Sequence, residues 1–298
     1  MNKRLSYVIL RYSEGSSVYI RSRGSFGVPQ DDMDPQCTGK PHARMHMYKL
    51  IAIAFAAVFA LSAFADPSTP PANAGINELL DTLHDAGEKL KDFAADVSLT
   101  ETNGITGESS QNLGHVWYQH LANGDARIRV NFDRKQIGKR IFEQRREYKL
   151  EGGNLIDQNF DTKVQVTRQV LKPGQKMNLL KLGEGPFPLP IGQAREDVLK
   201  SFDVTRPAAA KEDPANTNHL TLVPKPDTQL ARKFNSIDVY VSRQTNFPIR
   251  IETVDKDGVT IRTTDLSNLK INAGLKDADF TLPEPGKDWG VRDEAYRQ

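Results

Sequence analysis

Residues 76–100, INELLDTLHDAGEKLKDFAADVSLT, change their hydrophobic period partway along, and that change decides the fold. Up to Leu90 the apolar residues Ile76, Leu79, Leu80, Leu83, Ala86 and Leu90 fall on one stripe of a helix. From Phe93 the period becomes two: Phe93, Ala95, Val97 and Leu99 alternate with Ala94, Asp96, Ser98 and Thr100, as in a half-buried strand. An amphipathic helix that runs straight into a strand has one apolar face, and the face of a sheet is its natural cover.

Strand grammar continues downstream. Segments at 112–120, 125–133, 138–150, 154–159 and 163–169 follow, separated by turn residues such as Asn123-Gly124 and Gly152-Gly153. In 125–133, Ile128, Val130 and Phe132 share one face and Arg127, Arg129 and Asn131 the other. After a break at 207–214, strands are expected at 218–224, 233–242, 247–256 and 259–267, with Phe280–Leu282 last; Asp257-Gly258 marks a tight hairpin. Consecutive strands joined by short turns make an antiparallel meander, unlike the strand–helix alternation of a parallel sheet. The expectation is a mainly β (α+β) domain of about eleven strands and three helices.

One insertion interrupts the meander at 172–202. Two short helical patterns, the first with Met177, Leu179, Leu180 and Leu182 and the second at 193–201, flank Gly183-Glu184-Gly185-Pro186-Phe187-Pro188-Leu189-Pro190. Three prolines within five residues exclude a helix or a central strand. The insertion is long enough for a lid, and Leu179, Leu182, Phe187 and Leu189 are candidates for an apolar mouth.

Upstream, residues 50–65 read LIAIAFAAVFALSAFA, a run too short and alanine-rich for a membrane span. Arg44 and Lys49 precede it and Ala63-Phe64-Ala65 follows, the arrangement of a cleavable signal peptide at 45–65 that directs export to the periplasm. Residues 1–44 read as a non-native or disordered extension, with translation starting at Met45 or Met47. Residues 66–75 read as a proline-containing linker, 76–291 as the folded domain and 292–298 as a tail. The single cysteine, Cys37, lies before the cleavage site, so the remaining 233 residues have no disulfide or thiolate chemistry. The first 65 residues hold eight of the 40 basic and four of the 38 acidic residues, leaving 32 against 34. A charge so close to balance argues against a nucleic-acid partner.

Catalytic signatures are scarce. His84, His115, His120 and His219 have no metal-ligand spacing, no Gly-x-Ser-x-Gly is present, and no glycine-rich loop carries the Lys-Ser/Thr of a phosphate-binding loop. Neither cofactor nor metal is expected. A curling sheet with an apolar insertion points instead to a binding module.

Several motifs, in order, carry a resemblance: Phe93-Ala94-Ala95, Gly114 to Trp117, Glu151-Gly152-Gly153-Asn154-Leu155-Ile156, Gly185 to Leu189, Leu220 to Lys225, and Asp279-Phe280-Thr281-Leu282-Pro283-Glu284-Pro285-Gly286. From Ile76 to Val291 the chain resembles the outer-membrane lipoprotein carrier proteins (LolA-like). The resemblance implies an incomplete antiparallel β-barrel covered by helices, with an apolar cavity that takes acyl chains. It further implies a monomer that receives acylated lipoproteins from an inner-membrane releasing transporter and passes them to an outer-membrane acceptor. Trp117 and Phe132 join the four insertion residues as candidate lining. Where the family has an arginine three residues after this Trp, a candidate lock for the lid, the chain has His120 followed by Leu121; Arg127 and Arg129 are alternatives that strand register would decide. A lipid-binding sensor or regulator on the same fold is the competing reading.

The N-terminal reading has a direct check. Sequencing the N-terminus of the protein from its native envelope should give Asp66 as the first residue, and a chain that retains Cys37 would overturn it.

Overall fold

The computed structural model describes residues 72–171, 180 and 191–296. Helix α1 (Ala72–Glu88) begins just after Pro70-Pro71 and is followed by β1 (Asp92–Asn103), so the change of period marks the change of element. Next come β2 (Ser109–His120), β3 (Ala126–Ile137), β4 (Arg140–Glu151), β5 (Asn154–Asn159) and β6 (Val164–Gln169). Beyond the insertion lie α2 (Arg195–Ser201), β7 (Phe202–Thr205), β8 (Thr217–Pro224), β9 (Phe234–Ser242), β10 (Pro248–Asp255), β11 (Thr260–Ile271) and β12 (Gly290–Glu294).

All twelve strands belong to one sheet, ordered β12-β6-β5-β4-β3-β2-β1-β11-β10-β9-β8-β7. The sheet is antiparallel except where β12 runs parallel to β6, and it stays open, with β12 and β7 as its edges. The β1–β11 pairing joins the N-terminal meander to the C-terminal one. No helix among the described residues is long and apolar enough to cross a membrane.

Two strand expectations change. Phe280–Leu282 is not a strand: Asp277–Phe280 forms a 3₁₀ turn that buries Phe280 fully, and the prolines that follow supply no ladder donors. The additional strands, β7 and β12, are short edge strands. In β12 the sequence Gly-Val-Arg-Asp-Glu has no apolar alternation to reveal it. The pattern at 193–201 forms α2, whereas the pattern around Met177 lies outside the described residues except for Leu180.

Both faces of the sheet are covered. One carries the main core, where Phe93, Val97, Val116, Tyr118, Val130, Leu222, Val239 and Ile251 meet Ile76, Leu79, Leu80 and Leu83 of α1. Leu171, just before the insertion, belongs to this core, as do the described insertion residues Leu180, Ile191, Val198 and Phe202. Its return is held tightly: the Gly192 N–H donates to the Leu83 carbonyl at 3.2 Å, and a Cβ on Gly87 would lie 2.2 Å from the Gly192 Cα.

Gly114 has a comparable role inside the sheet. The β2–β3 register slips between Leu113 and Gly114, and the β3–β4 register slips between Phe132 and Arg134, so both irregularities share the stretch around Asp133. At that bulge the β3 backbone crowds β2, and a Cβ on Gly114 would sit 1.8 Å from the Asn131 carbonyl oxygen. A carbonyl in a ladder cannot swing aside as a flexible side chain can. Gly114→Ala should therefore lower stability by about 1–3 kcal/mol, the range for forced overpacking. A urea midpoint unchanged from wild type would show that the bulge relaxes freely.

Candidate functional site

The core face of the sheet is apolar and aromatic where β1, β2 and β3 meet. Phe93 stacks on Tyr118 with centroids 5.3 Å apart and meets Phe247 edge-on at 5.2 Å. Burial pushes the Tyr118 hydroxyl up to about 12, which keeps it neutral within this apolar layer. Phe132 lies on the same face, 6% exposed, with its ring edge-on to Tyr148 at 6.2 Å. This is the face that α1 and the anchored ends of the insertion cover.

Strand register separates the two candidate residues of the sheet. Trp117 stands between buried Val116 and Tyr118 and opposite Arg129, so it projects from the other face, away from Phe132. A cavity on the core face is thus one that Phe132 can line and Trp117 cannot. His120 is exposed at the end of β2, where its backbone N–H donates to the Lys91 carbonyl. Arg127 and Arg129 share the face of Trp117, so neither reaches the core face from its place in β3. Leu179, Leu182, Phe187 and Leu189 lie outside the described residues.

The outer face holds what sequence reasoning missed. After β11 the chain crosses this face as an extended strap, fastened at successive points. Gly274 and Leu275 donate backbone N–H groups to the Asp92 carboxylate, and Gln119 donates to the Leu275 carbonyl at 2.9 Å. Arg127 is bonded to Gln119 and to Asp277, the latter at 2.5 Å, and lies over the Phe280 ring at 4.2 Å. Arg129 donates to the Asp279 carbonyl, and Gln158 to the Pro283 carbonyl. The Trp289 ring meets Phe160 edge-on at 4.8 Å before β12 docks on β6. The sequence signal was the pair of arginines on one strand phase together with a distant Asp-Ala-Asp-Phe turn.

Beside the strap is an open groove of about 830 Å³, lined by Trp117, Arg129, Asn131, Arg145, Glu147 and Asp161 among others. Its floor is the buried Glu147 carboxylate, which accepts from Arg129 at 3.0 Å and from Asn131 at 3.0 Å. The Arg129 guanidinium lies over Trp117 at 4.8 Å. This arrangement satisfies a buried charge and fixes Trp117. Acids and bases on its wall alternate, so it offers no field of one sign to a charged ligand.

Titratable groups elsewhere are held by structural bonds. Asp96 accepts from Asn268 at 2.6 Å and bonds His115 at 2.7 Å, and these contacts, that of Asn268 foremost, hold its carboxyl below the usual carboxylate range. His219 contacts Asp238 at 2.9 Å and stacks on Tyr240 at 4.2 Å. Among the described residues no group of three or more His, Cys, Asp or Glu side chains is placed to hold a metal ion.

No protein-family model and no curated protein matches the sequence. Among solved structures, an uncharacterized conserved protein from Thermus thermophilus is 14% identical, with a TM-score of 0.43 over 74% of this chain and 99% of that one. The Pseudomonas aeruginosa MucA/MucB complex yields a match at 11% identity and a TM-score of 0.39, covering 70% of this chain and 61% of that chain. A LolA superfamily protein from Nitrosomonas europaea is 11% identical, with a TM-score of 0.30 over 69% of this chain and 96% of that one.

The Arg129–Glu147 pair predicts a specific pattern of stabilities. Glu147 is 1% exposed, so Arg129→Met removes the main partner of a buried carboxylate and should cost about 3 kcal/mol or more. Adding Glu147→Leu should restore most of that loss, because the charge left without its partner is gone. A double variant no more stable than Arg129→Met in urea denaturation would overturn this account.

Proposed function

We propose that this chain is a periplasmic carrier that shelters the acyl chains of lipoproteins against the core face of its sheet. It would receive them from an inner-membrane releasing transporter and yield them to an outer-membrane acceptor. The observation that carries the reading is the way the insertion is fixed. Leu171, just before it, and Leu180 and Ile191, within it, belong to the core on the apolar face that holds Phe132. Between the last two anchors runs the apolar stretch Gly185 to Leu189, which we assign to the cargo together with Leu179 and Leu182.

The physical requirement is an apolar shelter that can be refilled. An acyl anchor gains about 0.8 kcal/mol for each CH₂ removed from water, so it needs cover in transit. Release demands that the cover be exchangeable. The sequence resemblance to lipoprotein carriers supports the same reading.

The test is titration of the protein, purified without detergent, with a triacylated lipopeptide and with its deacylated form, beside mass spectrometry of the protein as isolated. The acylated form should bind with a negative heat-capacity change, as burial of apolar area requires, and the deacylated form should not. Phe187→Glu should weaken lipopeptide binding about tenfold or more while leaving the thermal midpoint near that of wild type, because a charge in an apolar contact is strongly unfavourable. Equal affinity for the two forms would overturn acyl recognition, and a preference for free lipid over lipopeptide would favour a lipid sensor.

A further inference from the structure

The far half of the β3–β4 hairpin stands clear of the core. Residues 134–142, RKQIGKRIF, hold four cations and no acid, although the chain after residue 65 is nearly balanced in charge. Three large apolar side chains in the same nine residues are exposed: Ile137 at 49%, Ile141 at 61% and Phe142 at 46%. The neighbouring β1–β2 turn, at the same end of the sheet, carries Ile105 at 77%. Singly exposed apolar residues are ordinary, but a concentration of them among cations is not.

We propose that this hairpin tip is a docking element for an anionic lipid bilayer. The register distinguishes a bilayer from a protein partner. Gln136 pairs with Ile141 and Lys135 with Phe142, so Ile141 projects from one face of the hairpin while Phe142 and Ile137 project from the other. A flat protein surface could cover one of these faces. A bilayer interface entered end-on takes both, because apolar side chains enter its acyl boundary on all sides while lysine and arginine reach outward to the headgroups. Lys139 and Arg140, at the exposed turn, lead the tip in that pose, and their long side chains turn back to the headgroups. Charge complementarity then specifies an anionic surface rather than a zwitterionic one. The bulge around Asp133 lies where the hairpin leaves the core, so its far half can seat itself without disturbing the rest of the sheet.

Flotation with vesicles tests this independently of acyl cargo. Vesicles of phosphatidylcholine alone and vesicles containing phosphatidylglycerol are compared, using the wild-type protein, Ile141→Ser/Phe142→Ser and Lys139→Glu/Arg140→Glu. The wild type should prefer the anionic vesicles and be released by salt, and each double variant should bind about tenfold or more weakly. Circular dichroism checks that the variants remain folded. An environment-sensitive fluorophore on Gln136→Cys, in otherwise unaltered protein, should shift to the blue only with anionic vesicles. Equal binding to the two vesicle types, no binding to either, or variants that bind like wild type would overturn the proposal. So would crosslinking from position 142 to an envelope protein in the absence of vesicle binding.

Discussion

Arg127 reaches Asp277 across 150 residues of sequence, and this contact makes sense of the whole outer face of the sheet. A twelve-stranded open sheet has two broad faces, and α1 can cover only one of them. The second is closed by a strap of irregular chain whose own backbone groups must find partners. Asp92, Gln119, Arg129 and Gln158 supply those partners from the sheet, and Phe280 supplies the apolar contact beneath Arg127. Charged residues on this face are therefore structural. Arg127 is buried despite its charge because it bonds to the sheet and to the strap at once.

This division of the faces bears on where a ligand can go. The outer face is committed to the strap, and the groove beside it has a floor already occupied by hydrogen bonds to Glu147. The core face is committed at its centre to the aromatic group of Phe93, Tyr118 and Phe247. Apolar cargo would have to enter beside that group. Phe132 and Tyr148, in β3 and β4, lie on this face, and Trp117 belongs to the other.

The sequence made the meander legible because its strands alternate: Phe93, Ala95 and Val97 face inward by period alone, as do Ile128, Val130 and Phe132. Period also separated Arg127 and Arg129 from Phe132. Alternation failed wherever burial came from an irregular segment. Phe280 sat in a strand-like motif yet is buried by a 3₁₀ turn, and β12 has almost no apolar residue to pattern. The placing of Trp117 and Phe132, both candidates for the cavity lining, on opposite faces was hidden for a related reason. A tryptophan suggests a cavity, but whether it shares a face with a residue on another strand depends on register, which only the Leu113–Gly114 slip and the β2–β3 pairing define.

Register also sets the distance between the two ends of the molecule where function is proposed. The turns at 104–108, 138–139 and 256–259 lie at one end of the sheet, because β1 pairs Asn103 with Thr260 and β2 pairs Ser110 with Ile137. The insertion is tied at the opposite end: Val170 and Leu171 donate to the Gly153 carbonyl in the β4–β5 turn, and Gly192 meets α1 just before β1 begins. A strand of twelve residues spans about 40 Å, so roughly that length of sheet separates the hairpin tip from the insertion's anchors. A molecule seated on a bilayer by its tip would keep the anchors at Leu171 and Gly192 turned toward solution. The cargo face would then be presented to whatever protein hands over or accepts the acyl chains, rather than to the lipid on which the tip rests. Docking and loading would then use opposite ends of one sheet.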